Sequence, residues 1–144
     1  MLRAFFDSSV LFSAAYSKTG HAHDLVRISA QGDLIIVVSN FVVGEARHNL
    51  SDLKVQRLTD LDQILSRASI EVVHVAKEEI ADAAHFIVLK DAPILAAAKA
   101  AKVDMLVSLD KKHILGRPEL ADYIGAAILS PKEAIEHIRG YDKL

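Results

Sequence analysis

Five short apolar runs, separated by segments with helical periodicity, constrain the fold of this chain more than any other feature. The runs cover residues 2–6, 34–38, 70–75, 104–107 and 126–129. Several are apolar at nearly every position, which is typical of strands covered on both faces in a parallel sheet. The alternation of strands and helices predicts an α/β fold, a three-layer α/β/α sandwich built on five strands.

Four of the helices are predicted from periodicity, composition or capping. Apolar residues recur at helical spacing over 58–68 and 80–88, and each pattern predicts an amphipathic helix. Residues 93–101 are mostly alanine and leucine, which are good helix formers. Ser130-Pro131-Lys132-Glu133 supplies an N-cap, a first-turn proline and a capping-box glutamate, so a helix is predicted from Pro131 to Gly140. The polar stretches 18–21 and 116–118 are predicted to be loops.

Bulk composition limits the class of protein. The 144 residues are 51% hydrophobic and 25% charged, which fits one globular domain over 1–144 with its own core. No apolar run is long enough to span a bilayer, and the first residues do not resemble a signal peptide. The absence of cysteine excludes disulfides and fits a cytoplasmic location. A net charge of −2 argues against general nucleic-acid coating, so any RNA contact is expected to be local.

Acidic residues follow the predicted strands in a pattern that suggests a site. Asp7 directly follows the first strand, and Asp110 follows the strand at 104–107. Since functional groups gather beyond the carboxyl ends of parallel strands, both acids are expected at one edge of the sheet. Asp91 is predicted to begin the alanine-rich helix, and Glu45 to lie on a helix just after the second strand. Carboxylates that converge repel each other, and Mg²⁺ or Mn²⁺ is the usual compensation.

Each acid also has a purely structural interpretation. Asp7 and Asp91 are candidates for helix N-caps. Asp110 stands beside two lysines as an ordinary turn residue would, and Glu45 fits a solvated helix position. Four such coincidences on one edge are less expected than any one alone.

The blocks around the four acids resemble those of the PIN-domain family. The first acid follows a strand in Phe6-Asp7-Ser8-Ser9, and the second lies in Val43-Gly44-Glu45-Ala46. The third acid is Asp91 in Lys90-Asp91-Ala92-Pro93, and the fourth is Asp110 at the end of Leu106-Val107-Ser108-Leu109-Asp110. The blocks stand in the family's order, and with the closing strand and helix the resemblance covers essentially the whole chain.

The resemblance implies a five-stranded parallel sheet in the order 3-2-1-4-5. It also implies a Mg²⁺- or Mn²⁺-dependent endoribonuclease that leaves a 5′-phosphate and a 3′-hydroxyl. By the same resemblance, Asp7, Glu45, Asp91 and Asp110 are metal ligands and catalytic residues, with Ser8 and Ser108 as supporting hydroxyls. Many family members are VapC-type toxins that form homodimers and are silenced by a small antitoxin. The alternative is a catalytically silent PIN-fold module that binds RNA or protein.

The chain departs from the family pattern at His113, where an aromatic residue is more usual. The RNA-binding surface is unassigned, and the candidate cations near the expected edge are Lys18, Arg47, His48, Lys111, Lys112 and His113.

His21 and His23 form a His-x-His pair, but no third histidine is close in sequence. Two other classes of protein fit this sequence poorly. A haloacid-dehalogenase enzyme needs a second aspartate at the position that Ser9 occupies, and a receiver domain needs a phosphoacceptor where this chain has His74-Val75-Ala76.

Overall fold

Five parallel strands form the centre of the protein. The computed structural model describes residues 1–53 and 57–142. The strands are β1 (Arg3–Phe6), β2 (Ile35–Ser39), β3 (Ile70–Val73), β4 (Met105–Val107) and β5 (Ala127–Leu129). They pair in parallel in the order β3-β2-β1-β4-β5. Both the five predicted strands and the order implied by the family resemblance are confirmed.

Helices connect successive strands. Those in the described residues are α1 (Ser8–Tyr16), α2 (His21–Ala30), α3 (Asn40–Ser51), α4 (Leu58–Arg67), α5 (Lys77–Ala83), α6 (Ala92–Ala101), α7 (Pro118–Ile124) and α8 (Pro131–Asp142). A 3₁₀ turn at Leu89–Asp91 leads into α6. Among these helices, none is long and apolar enough to cross a membrane.

The central strands are buried because helices cover the sheet. Phe5 of β1 pairs with Val37 of β2 and Leu106 of β4, and all three side chains are fully buried. One group of helices consists of α1, α2 and α8. In this group α8 packs against β4, β5 and α2, and α2 packs against α1. A second group consists of α6, which contacts β2, together with α5 and α7. Burial of this continuous apolar set is the main stabilising contribution to the fold.

The amphipathic helix predicted over 80–88 is only partly correct, because α5 ends at Ala83. Beyond that point the amides of His85 and Phe86 bond to carbonyls three residues back, at 3.2 and 2.9 Å, which tightens the chain into turns. Phe86 then stacks on Tyr123 of α7, with ring centroids 4.2 Å apart. Tertiary packing of this aromatic pair therefore overrides the local helical pattern, and the turns direct the chain toward Asp91.

The capping box predicted at the start of α8 is confirmed. The Ser130 amide donates to Glu133 Oε1 at 3.0 Å, and the Glu133 amide donates to Ser130 Oγ at 3.2 Å. The predicted end at Gly140 is wrong, since α8 continues to Asp142. One glycine costs a helix only about 1 kcal/mol, and burial of Ala134, Ile135 and Ile138 outweighs that cost.

Candidate functional site

Asp7 is buried at the end of β1, and both its carboxylate oxygens accept hydrogen bonds. It is the N-cap of α1: Oδ1 accepts from the Val10 amide at 3.1 Å and also from the Ser9 hydroxyl. Oδ2 accepts from the Ser108 hydroxyl. Burial raises the pKa of Asp7, although the bonds from Ser108, Ser9 and Val10 act in the opposite direction. Asp7 is therefore a helix cap in this structure, and Oδ2 keeps a lone pair for a further partner.

Two serines link the ends of β1 and β4, which are adjacent strands. Ser108 donates to Asp7 and accepts from the Asp110 amide at 3.0 Å. Ser9 also donates to Asp7 and accepts from the Leu109 amide at 3.2 Å. The Ser108 hydroxyl thus joins the first and fourth acids of the predicted site, and Ser9 joins Asp7 to the backbone of Leu109.

Asp110 has a carboxylate that is oriented by the turn following β4. Its Oδ1 accepts from the amides of Lys112 and His113, both at 3.0 Å. Burial acts to raise the pKa of Asp110, but these two bonds and the nearby His113 side chain outweigh it, so the pKa is lowered. The side chain is consequently ionised at neutral pH, with Oδ2 directed toward His113 Nδ1 at 3.4 Å.

Asp91 is buried at the entrance to α6, and its carboxylate has an unsatisfied oxygen. The side chain makes no capping hydrogen bond to α6, so the cap interpretation does not describe it. Its Oδ2 has no hydrogen-bond partner among the described residues and lies 3.7 Å from His113 Nδ1. Burial raises the pKa of Asp91 and the negative charge of Asp110 adds to this, whereas Lys90 and His113 oppose it.

Glu45 lies on α3 and is half-buried. Its Oε1 accepts from the Ser8 hydroxyl at 2.9 Å, which ties α3 to the first turn of α1. Ser8 and Ser9 therefore orient two different acids, Glu45 and Asp7, from adjacent positions of one helix.

Two of the four predicted acids, Asp91 and Asp110, lie together with a histidine. Within residues 1–53 and 57–142, the group of three acidic or histidine residues whose ligand atoms all lie within 4.8 Å of one another is Asp91, Asp110 and His113. Asp7 and Glu45 lie outside that set, and Asp7 is connected to it through Ser108 and Asp110. A buried carboxylate oxygen without a donor is costly, and a cation between these ligand atoms would satisfy it. The donor set therefore fits a divalent metal ion.

Most of the candidate cations are already paired with acids. Arg47 contacts Asp62 at 3.1 Å, His48 contacts Asp52 at 3.7 Å, and Lys18 contacts Asp60 at 3.9 Å. Lys111 and Lys112 are exposed just after Asp110, and neither forms an ion pair with another described residue. These two lysines are the candidate cations that remain available beside the acidic site.

The sequence pattern indicates no supporting role for Ser9, and it presents His113 only as a departure from the family pattern and a candidate cation. The sequence signal for His113 is its spacing of three residues from Asp110 in a turn, which places it on the same side as the carboxylate. The signal for Ser9 is its position in the first turn of α1, where a hydroxyl can return to the N-cap residue.

Asp91→Asn is expected to raise the free energy of unfolding of the metal-free protein by about 0.5–2 kcal/mol or to leave it unchanged. Folding raises the pKa of Asp91. The folded state therefore loses stability relative to the unfolded state as the pH rises above the ordinary pKa of aspartate. Thermal unfolding in EDTA at pH 7 measures the effect, and the gain should disappear below the ordinary pKa of aspartate. Asp110→Asn is the matched control, because a lowered pKa predicts a loss of stability instead. If Asp91→Asn unfolded the protein, Asp91 would be a structural hydrogen-bond centre.

This chain is thus a small parallel α/β protein whose acidic side chains lie beyond the carboxyl ends of β1 and β4. A family model described as PIN domain matches residues 3–112. The match covers more than half of the chain, and the protein therefore belongs to the PIN-domain family. Comparison of the sequence with curated proteins gives no match.

Three solved structures share the fold. PAE2754 from Pyrobaculum aerophilum has a TM-score of 0.65 and 17% identity, covering 96% of this chain and 98% of its own. VapBC2 from Rickettsia felis, solved bound to a DNA fragment from their promoter, has a TM-score of 0.64 and 18% identity, covering 89% and 97%. VapC20 from Mycobacterium tuberculosis, described as a sarcin-ricin loop cleaving toxin, has a TM-score of 0.58 and 17% identity, covering 76% and 91%. At these identities the likeness shows the fold.

Proposed function

We propose that this protein is a Mg²⁺- or Mn²⁺-dependent endoribonuclease that hydrolyses RNA phosphodiester bonds. The observation that carries the proposal is the buried, unpartnered Oδ2 of Asp91, grouped with ligand atoms of Asp110 and His113 within 4.8 Å. An unsatisfied buried carboxylate oxygen is tolerated where a cation or substrate completes it. Membership in the PIN-domain family supports nuclease chemistry at this position.

The four acids are proposed to hold the metal, directly or through water: Asp7, Glu45, Asp91 and Asp110. When bound, the ion lowers the pKa of a water nucleophile and neutralises charge on the scissile phosphate. Ser108 and Ser9 fix Asp7, and Ser8 fixes Glu45. The amides of Lys112 and His113 fix Asp110. These contacts orient the carboxylates before the substrate arrives, which is the residues' own contribution to the reaction.

Features next to the acids are suited to single-stranded RNA. Lys111 and Lys112 are exposed one and two residues after Asp110 and would contact backbone phosphates. A groove beside Ser8 and Ser9 is lined by Phe12 and Tyr16. Their rings are 9° from parallel with centroids 5.8 Å apart, and Tyr16 is 54% exposed. Exposed aromatic faces of this kind stack on unpaired bases.

The partners proposed for this chain are a second copy of itself and a small antitoxin, in the cytoplasm. The likeness to VapBC2 and to the RNA-cleaving toxin VapC20 supports the toxin interpretation. A short DNA-binding protein encoded just upstream of this reading frame would support it further. The alternative is a silent scaffold, in which Asp7 serves only as the cap of α1.

Cleavage of mixed RNA by the purified protein is expected in Mn²⁺ or Mg²⁺ and is expected to stop in EDTA. The physical reason is that carboxylates alone repel a phosphate, whereas a divalent ion neutralises both. Gel analysis of RNA fragments measures the effect, and readdition of Mn²⁺ after EDTA provides the control. Cleavage that persists in EDTA would contradict the metal dependence. Absence of cleavage under every condition, with a variety of structured RNAs, would favour the scaffold.

A further inference from the structure

His113 is held against both acids of the cluster. Its amide donates to Asp110 Oδ1 at 3.0 Å, which fixes the backbone. Its side-chain Nδ1 lies 3.4 Å from Asp110 Oδ2 and 3.7 Å from Asp91 Oδ2. The imidazole is 20% exposed, so it is shielded from most of the solvent. One nitrogen therefore faces two carboxylate oxygens, one at the start of α6 and the other in the turn after β4.

The two separations measured from His113 Nδ1 are close to the donor–donor spacing of a metal coordination shell, and ligand atoms of all three residues lie within 4.8 Å of one another. Metal–ligand bonds of about 2.0–2.2 Å at angles of roughly 90–110° place neighbouring donors about 2.8–3.6 Å apart. The observed separations of 3.4 and 3.7 Å need only slight closure to meet this geometry. A second, independent observation points to the same place: Asp91 is 9% exposed, and no described residue within 1–53 or 57–142 forms a hydrogen bond with its Oδ2.

We infer that His113 Nδ1 is a direct ligand of the divalent ion, beside Asp91 and Asp110. The site of this chain is then a mixed nitrogen–oxygen site rather than an all-carboxylate one. Imidazole favours first-row transition ions, whereas Mg²⁺ prefers oxygen ligands alone. The protein should therefore bind Co²⁺ in clear preference to Mg²⁺, with Mn²⁺, which also favours oxygen ligands, between the two. This inference rests on the proposed function, since it concerns the same metal ion.

The competing explanation is that His113 acts only as a positive counter-ion to Asp91 and Asp110. The two explanations predict opposite effects of removing the imidazole. A counter-ion competes with the metal for the carboxylates, so its removal would strengthen metal binding. A ligand contributes a bond to the metal, so its removal weakens binding, and most of all for the ions that favour nitrogen.

Metal binding by the full-length chain distinguishes these explanations without relying on activity. Co²⁺ titrations followed by absorption, and Mn²⁺ and Mg²⁺ titrations followed by calorimetry, would compare wild type with His113→Phe. We expect His113→Phe to weaken Co²⁺ binding by about 10–100-fold, Mn²⁺ binding by less and Mg²⁺ binding least. His137→Phe is the matched control, because His137 is exposed on α8, and it should bind as wild type does.

The nitrogen ligand can also be observed directly. Pulsed electron paramagnetic resonance of the Mn²⁺-loaded wild type should show coupling to a directly bound ¹⁴N, and His113→Phe should lose it. Absence of this coupling in the wild type would overturn the inference even if the variant failed to fold. Unchanged or tighter Co²⁺ binding by His113→Phe would overturn it as well. If wild type bound no divalent ion, or if Asp110→Asn left binding unchanged, the proposed metal site itself would be wrong.

Discussion

Asp110→Asn is expected to reduce RNA cleavage by about 100-fold or more, the largest effect on activity among the substitutions considered. Asp110 is the acid whose pKa is lowered by its backbone hydrogen bonds and His113, so it supplies a full negative charge at neutral pH. Asparagine keeps the size and one oxygen but removes that charge, and a hard divalent ion binds a neutral amide much more weakly than a carboxylate. Initial rates of fragment formation in saturating Mn²⁺ measure the change.

Asp33→Asn is the matched control for this prediction. Asp33 is an exposed aspartate that precedes β2, at the opposite edge of the sheet from the acids. The same chemical change at that position should leave the rate within about 2-fold of wild type, as is usual for surface substitutions. Equal rates for Asp110→Asn and wild type would show that the cleaving site lies elsewhere.

Asp7→Ala is expected to lower the free energy of unfolding by about 2–4 kcal/mol, the largest effect on stability. The substitution removes the cap of α1 and leaves the Val10 amide and the Ser108 hydroxyl buried without an acceptor. Loss of the cap bond from the Val10 amide costs about 1 kcal/mol, and the buried Ser108 hydroxyl left without an acceptor adds about 1–3 kcal/mol. Urea unfolding in EDTA measures this loss in the absence of metal.

Asp7→Asn provides the comparison that separates structure from chemistry. The amide oxygen can still accept from Val10 and one hydroxyl, so most of the stability should be retained while cleavage falls. If Asp7→Ala were as stable as wild type, the hydrogen bonds of Asp7 would not hold the strand ends together. If Asp7→Asn cleaved RNA normally, Asp7 would be structural only.

The strands and the sheet edge could be predicted from the sequence because they depend on local patterns. Apolar runs located all five strands to within two residues, and strand ends then placed Asp7 and Asp110 on a common edge. The capping box located the first turn of α8 because its hydrogen bonds lie within four consecutive residues. The strand order followed from the family resemblance and not from periodicity.

The details of the site depend on contacts that no local pattern reports. The turns after Ala83 are set by Phe86 packing on Tyr123, a residue far along the chain. Those turns and the 3₁₀ turn determine where Asp91 points. The phase of α1 determines that Ser8 reaches Glu45 while Ser9 reaches Asp7, and adjacent serines cannot be told apart in sequence. The orientation of His113 toward two acids is likewise a tertiary result.

The Ser108 hydroxyl, which joins Asp7 to the Asp110 amide, has a consequence for synthesis of the chain. The residues it connects are separated by about a hundred positions, and β4 pairs with β1 only after residue 107 has been made. A nascent or truncated chain that stops before β4 lacks Ser108, Asp110 and His113 altogether. A ribosome making this protein is therefore not exposed to the complete proposed metal site until about three quarters of the sequence has been made and β4 has paired with β1.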